Sequence, residues 1–197
     1  MSLDPVRTDW NRAVLRRYGL DAVVCRLPEN VLVLTGYWPV SSFAFALFPV
    51  EGPVTLIPAI TEVEEIADGT VDDVRPFKYG ELGAPDPYQA IQRYLAAAMA
   101  EAGLSRGTIG VEMGFETVAP GHTAAEVYVP ASATLSAIAS AVPNATVVDA
   151  TTALYETRAR KTPSELARLR LANEIAAFGL RAFRESFEPG RSEAAGA

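Results

Sequence analysis

An α/β fold is predicted for this 197-residue chain: a mixed β-sheet flanked by helices on both faces, followed by one long C-terminal helix. Three observations predict it. Segments of helical period alternate with short β-branched runs, two of those runs are separated only by a tight turn, and a well-capped helical pattern follows an abrupt change in charge. Apolar residues make up 49% of the chain, enough for a sizeable core, and 14 Gly and 14 Pro give no sign of a disordered or fibrous architecture.

The first helix is "DPVRTDWNRAVLRRYGLD", where Val6, Trp10, Val14 and Leu15 are expected on one face and Gly19 at the C-terminal end. A strand follows in "AVVCRL". Two more come from "SFAFALFPV" and "GPVTLIP", joined by a turn through Glu51 and Gly52, and this hairpin-like pair makes the sheet mixed rather than purely parallel. Tyr88, Ile91, Leu95, Ala98 and Met99 stand at helical spacing between Pro85 and Gly103, and "GTIGVEM" then reads as a buried strand. The region around "ASATLSAIASAV" supplies a further helix before the short strand "ATVVDA".

Charge locates a boundary. Residues 1–155 carry 9 basic and 18 acidic side chains, a net of −9, whereas residues 156–197 carry 8 and 6, a net of +2. Two structural units are therefore expected, 1–155 and 156–197. In the second, "TPSE" combines Thr162 as N-cap, Pro163 at the first helical position and Glu165 closing a capping box. Leu166, Leu169, Ala172, Ala176, Leu180 and Phe183 form a stripe that Pro189 and Gly190 end, about 25 residues or on the order of 37 Å. Such a stripe stabilises only when covered, so the expectation is a chain that forms the front part of a longer protein, with Ser192 and Glu193 opening a next helix. A helix folded back on the first unit is the alternative.

The chemistry-bearing residues are few. The net charge of −7 and a pI near 4.8 argue against a nucleic-acid partner, no apolar run is long enough to span a bilayer, and Asp4, Arg7 and Asp9 interrupt any signal peptide, so a cytoplasmic location is expected. Cys25, the single cysteine, reads as a core thiol. His122, the single histidine, reads as a solvated or capping residue, which leaves no zinc site of imidazole or thiolate type. The acidic pairs Glu64–Glu65 and Asp72–Asp73 point in divergent directions and read as surface. No phosphate-cradling or dinucleotide-binding glycine pattern occurs. In "PENVLVLTGYWPVSS", Tyr37 and Trp38 follow a Thr-Gly break and precede Pro39, so the pair is the strongest contact candidate, with core packing as the alternative for either ring.

"GLDAVVCRLPENVLVLTGY", "IGVEM" and "RARKTPSELARLRLANEIAAFGLRAF" followed by "EPGRSEA" resemble, in order and spacing, the creatinase/prolidase family, which includes Xaa-Pro aminopeptidases and dipeptidases. The run Arg158, Lys161, Pro163, Glu165 resembles the family's entry into its pita-bread catalytic domain, and Val33 departs from the Tyr of many members. The resemblance implies a family N-terminal domain over 1–155, and a linker plus the first catalytic-domain helix over 156–197. It also implies a parent hydrolase with two divalent metals, manganese, cobalt or zinc, whose ligands lie outside this chain, so the chain alone is expected to be inactive. A homodimer and a peptide or small-molecule substrate are implied for the parent. The substrate-access loop falls at Tyr37 to Phe43, including Trp38, Ser41 and Ser42. The alternatives are a non-enzymatic scaffold and a creatinase- or ectoine-hydrolase-type amidohydrolase.

Overall fold

The computed structural model describes residues 4–40, 43–66, 71–78, 86–117 and 128–186. They separate into two compact units, residues 1–159 and 160–197. In the first unit, helix α1 (Pro5–Arg17) leads into strand β1 (Ala22–Cys25), helix α2 (Pro28–Thr35), strands β2 (Phe45–Pro49) and β3 (Thr55–Ile57), a 3-10 turn (Ile60–Glu65) and strand β4 (Asp73–Val74). Helix α3 (Pro87–Glu101), strand β5 (Thr108–Val111), the antiparallel pair β6 (Phe115–Thr117) and β7 (Tyr128–Pro130), helix α4 (Ser132–Ala141), strand β8 (Thr146–Asp149) and helix α5 (Thr151–Ala159) complete it. The expected boundary at Tyr155 falls inside α5.

Six strands form one sheet in the order β4-β3-β2-β1-β5-β8. β2 runs antiparallel to both β1 and β3, while β1, β5 and β8 are mutually parallel, so the sheet is mixed as the sequence predicts. Alternation along each strand sends residues to opposite faces. Ala22, Val24, Phe45, Leu47, Ile109 and Val111 pack with Ile91, Leu95 and Met99 of α3 and Ile138 of α4. Val23, Cys25 and Phe48 pack on the other face with Val14 and Leu15 of α1, Leu34 of α2 and Leu154 of α5. The result is three layers, with helices on both sides.

Two helix ends show why local signals sufficed there. Gly19 and Gly103 sit at positive φ, 67° and 72°, and the following residues Leu20 and Leu104 donate back to Leu15 and Met99 carbonyls at 3.0 and 2.8 Å. Both pairs of apolar side chains are buried, which completes a Schellman stop at each end. α3 begins as firmly, with the Asp86 carboxylate accepting from Tyr88 N and Gln89 N.

α1 differs from its predicted face. Val6 is 57% exposed, and Arg7 and Asn11 are buried in its place. The reason is polar: Arg7 Nη1 donates to the Thr157 carbonyl of α5 at 2.6 Å, and Asn11 Nδ2 donates to the Val33 carbonyl of α2 at 3.1 Å. Backbone acceptors distant in sequence thus choose which side of α1 turns inward. α2, eight residues long, is a helix that the sequence pattern does not predict.

The second unit is helix α6 (Pro163–Ser186). Its start is the predicted capping box: Thr162 N donates to Glu165 at 2.8 Å and Glu165 N to Thr162 Oγ1 at 3.3 Å. No residue of α6 is buried. Besides the predicted row of Leu166, Leu169, Leu180 and Phe183, a second row of Leu171, Ile175 and Phe178 is exposed, which widens the apolar arc well beyond one stripe.

Gly110 in β5 is closely covered by its neighbours. A Cβ there would lie 2.6 Å from Ala150 Cβ and 3.0 Å from both Leu20 Cδ1 and Val23 Cγ1. Gly110→Ala is therefore expected to lower stability by about 1–3 kcal/mol through overpacking, read as a lower urea midpoint at unchanged m-value. An unchanged midpoint would show that α5 yields without cost.

Candidate functional site: a loop held by two buried carboxylates

At the carboxyl ends of adjacent parallel strands β1 and β5, the next residues are Arg26 and Glu112. Open α/β sheets bind ligands in this kind of crevice, commonly with an anion against a helix N-terminus. Here the chain supplies its own anion. The Glu112 carboxylate accepts from Arg26 N at 2.9 Å, from Leu27 N at 3.1 and 3.2 Å, and from Asn30 Nδ2. It thereby caps α2, whose own N-cap residue Leu27 has no side-chain hydrogen bond to offer.

The Arg26 side chain leaves this point toward the opposite sheet face. Its guanidinium lies 4.5 Å from the Phe43 ring centroid, and Nη1 donates to Tyr88 Oη at 3.3 Å and Thr134 Oγ1 at 3.2 Å. Phe43 is half-buried and meets Phe45, Phe77 and Tyr88 edge-to-face, with centroids 6.3, 5.4 and 5.7 Å away. Of the predicted loop residues, Phe43 thus packs inward at the foot of β2.

α2 ends at Gly36, left-handed with φ 77°, whose N–H returns to the Leu32 carbonyl at 2.7 Å. Tyr37 then turns inward, 6% exposed, against Val31, Ala44, Ala46 and Leu56. Its hydroxyl donates to Glu62 of the 3-10 turn, and Val40 N donates to the same carboxylate at 3.2 Å. Trp38 and Val40 face outward, 46% and 45% exposed. The two aromatics paired by sequence therefore divide: Tyr37 anchors and Trp38 is presented. Ser41, Ser42 and His122 lie outside the described residues.

The functional residue that sequence reasoning missed is Glu62. Its neighbours Glu64 and Glu65 are exposed, as expected of a surface pair, but Glu62 is buried at 4%. Nothing in "ITEVEE" distinguishes the three carboxylates; only the hydroxyl and amide arriving from Tyr37 and Val40 do. Glu112 lay inside a quoted motif, yet its role as a cap was equally invisible.

The buried titratable groups of the arrangement are held in place by burial and hydrogen bonds. Burial raises the Cys25 thiol well above its usual range, and the nearby Glu112 adds to the rise, so Cys25 is held as the neutral core thiol expected of it. Burial likewise raises the Tyr37 hydroxyl, assisted by its bond to Glu62, which keeps it a donor. Among the described residues no three His, Cys, Asp or Glu side chains converge as a metal site would require. Among the described residues no helix is long and apolar enough to cross a membrane.

A family model described as the creatinase/prolidase N-terminal domain matches residues 7–160. No curated protein matches the sequence. Among solved structures, a prolidase from Thermococcus sibiricus superposes with TM-score 0.65 at 20% identity, over 100% of this chain and 48% of that one. A Xaa-Pro dipeptidase from Bacillus anthracis gives 0.63 at 17%, over 97% and 46%. The N-terminal domain of a cytoplasmic peptidase from Mycobacterium tuberculosis gives 0.53 at 23%, over 78% and 99%. The chain thus spans about half the length of the first two relatives and nearly all of the third, a likeness that establishes the fold.

Burial raises the Glu112 carboxyl above its ordinary value of 4.5, in opposition to the hydrogen bonds from Arg26, Asn30 and Leu27. A raised folded-state value means the folded chain holds the proton more tightly than the unfolded one. Its contribution is full below pH ~4.5 and is lost as pH rises through the folded value. Glu112→Gln places an amide donor among three N–H groups and should cost about 1–3 kcal/mol at neutral pH. The gap from wild type should widen on acidification toward pH ~4.5, because only the wild type gains a proton. Urea midpoints of both proteins across that range check this, and a gap narrowing toward acid would contradict it.

Proposed function

The chain belongs to the creatinase/prolidase family, whose N-terminal domain it carries over residues 7–160, and from that premise we propose a non-catalytic role in a proline-directed metallohydrolase. In this reading the domain supports dimerisation of a Xaa-Pro dipeptidase-like parent and shapes the approach of substrate, while the divalent metals and the bond-breaking groups belong to the remainder of the longer protein. The observation that carries it is the split of the two aromatics: Tyr37 is locked into the domain while Trp38 is displayed outward from it.

Three further features support the reading. The buried carboxylates Glu62 and Glu112 are both committed to hydrogen bonds with the loop and the start of α2. α6 exposes two apolar rows, and a surface of that width stabilises only when other elements cover it. Full-length prolidases of the same fold extend over about twice this length.

The purified chain, supplied with manganese or cobalt, is expected to leave Xaa-Pro dipeptides intact. Robust turnover by the chain itself would overturn the assignment. In the longer parent, Trp38→Ala is expected to raise KM for an Xaa-Pro substrate by about 5–30-fold, the kinetic equivalent of ~1–2 kcal/mol of lost contact, with kcat within about twofold. Equal loss in kcat and kcat/KM would instead place Trp38 in the chemical step.

A further inference from the structure

We infer that Glu62 is the positioning residue of the loop: its buried carboxylate clasps Tyr37 and Val40 together and so fixes the direction in which Trp38 projects. This rests on the reading of that loop as the substrate-facing one, but the clasp itself is a property of the described chain. The loop has weak means of holding itself. Pro39 has no N–H, and the bonds from Gly36 N to Leu32 O and from Tyr37 N to Thr35 Oγ1 at 3.1 Å only tie the loop to the end of its own helix. Among the described residues, the bonds from the Tyr37 hydroxyl and Val40 N reach a different part of the fold, and both end on Glu62 Oε2.

Position explains why one oxygen serves both. The 3-10 turn follows β3, and Ala59 bridges in parallel to Phe77, with Ile60 N donating to the Phe77 carbonyl at 2.8 Å, so the turn is fixed to the sheet edge. Glu62 therefore acts from a rigid base. The Tyr37 ring is wedged among Val31, Ala44, Ala46 and Leu56, which leaves its hydroxyl a single direction, toward Glu62. With residues 37 and 40 both held, Trp38 has little backbone freedom left. The clasp thereby sets the direction of its Cα–Cβ bond.

The single-oxygen geometry gives a discriminating test. Glutamine at 62 can place its carbonyl oxygen where Oε2 now lies and accept both bonds, whereas alanine removes the acceptor. In the chain labelled with nitrogen-15, Glu62→Ala is expected to speed amide exchange at Val40 at least tenfold over exchange at Val23 and Val24 of β1, and Glu62→Gln is expected to restore near wild-type protection. Tyr37→Phe should give an intermediate effect, having lost one donor. Unchanged exchange at Val40 in Glu62→Ala would overturn the inference, and so would a uniform rise across β1 and the loop, which marks a merely structural residue. In the longer parent, Glu62→Ala should raise KM while sparing kcat, with Glu62→Gln rescuing it. If the parent hydrolyses no Xaa-Pro substrate but the exchange pattern appears, the functional reading fails and the clasp stands.

Discussion

The Glu112 carboxylate is the interaction on which the functional end of this domain depends. A buried charge costs several kcal/mol unless its oxygens are satisfied, and here backbone amides of Arg26 and Leu27 and the Asn30 amide group meet both of them. The same contact joins β5 to the exit of β1 and supplies the cap that α2 lacks. α2 is only eight residues long, carries β-branched Val31, Val33 and Thr35, and is marginal by itself. Capped from across the sheet, it delivers Gly36 and then Tyr37 to fixed positions.

The outer helical layer is ordered by polar ties laid over apolar packing. Val14 and Leu15 give α1 its area of contact, but Arg7 on the Thr157 carbonyl and Asn11 on the Val33 carbonyl fix its rotation. Hydrophobic burial is non-directional and would tolerate several rotations, whereas a buried guanidinium with a specific carbonyl tolerates one. Gly110 makes the complementary contribution within the sheet, since the absence of a Cβ lets Ala150 and the start of α5 approach β5 closely. Together these contacts bring α1, α2 and α5 into one layer, and the loop emerges from its edge.

A display surface on such a scaffold follows from how little of the loop is free. Tyr37 is buried, its hydroxyl is kept neutral and donating, and Val40 is tied beside it, so among the described loop residues 37–40 that follow Gly36 the exposed side chains are Trp38 and Val40. A rigid aromatic presented from a fixed base recognises a partner at low entropic cost. That economy is what the proposed substrate-orienting role requires.

The sequence by itself determined the elements whose signals are local: the mixed strand order around the 43–58 hairpin, the Schellman ends at Gly19 and Gly103, and the Thr162–Glu165 box of α6 each involve residues within a few positions of one another. Tertiary structure alone decided the rest. α2 was illegible because its cap lies more than eighty positions away in Glu112, the inward face of α1 because its acceptors belong to α2 and α5, and the role of Glu62 because three carboxylates in one short turn look alike until one is buried. The physical reason is the same in each case: a hydrogen bond takes its meaning from the partner opposite, and that partner is named only when the chain has folded.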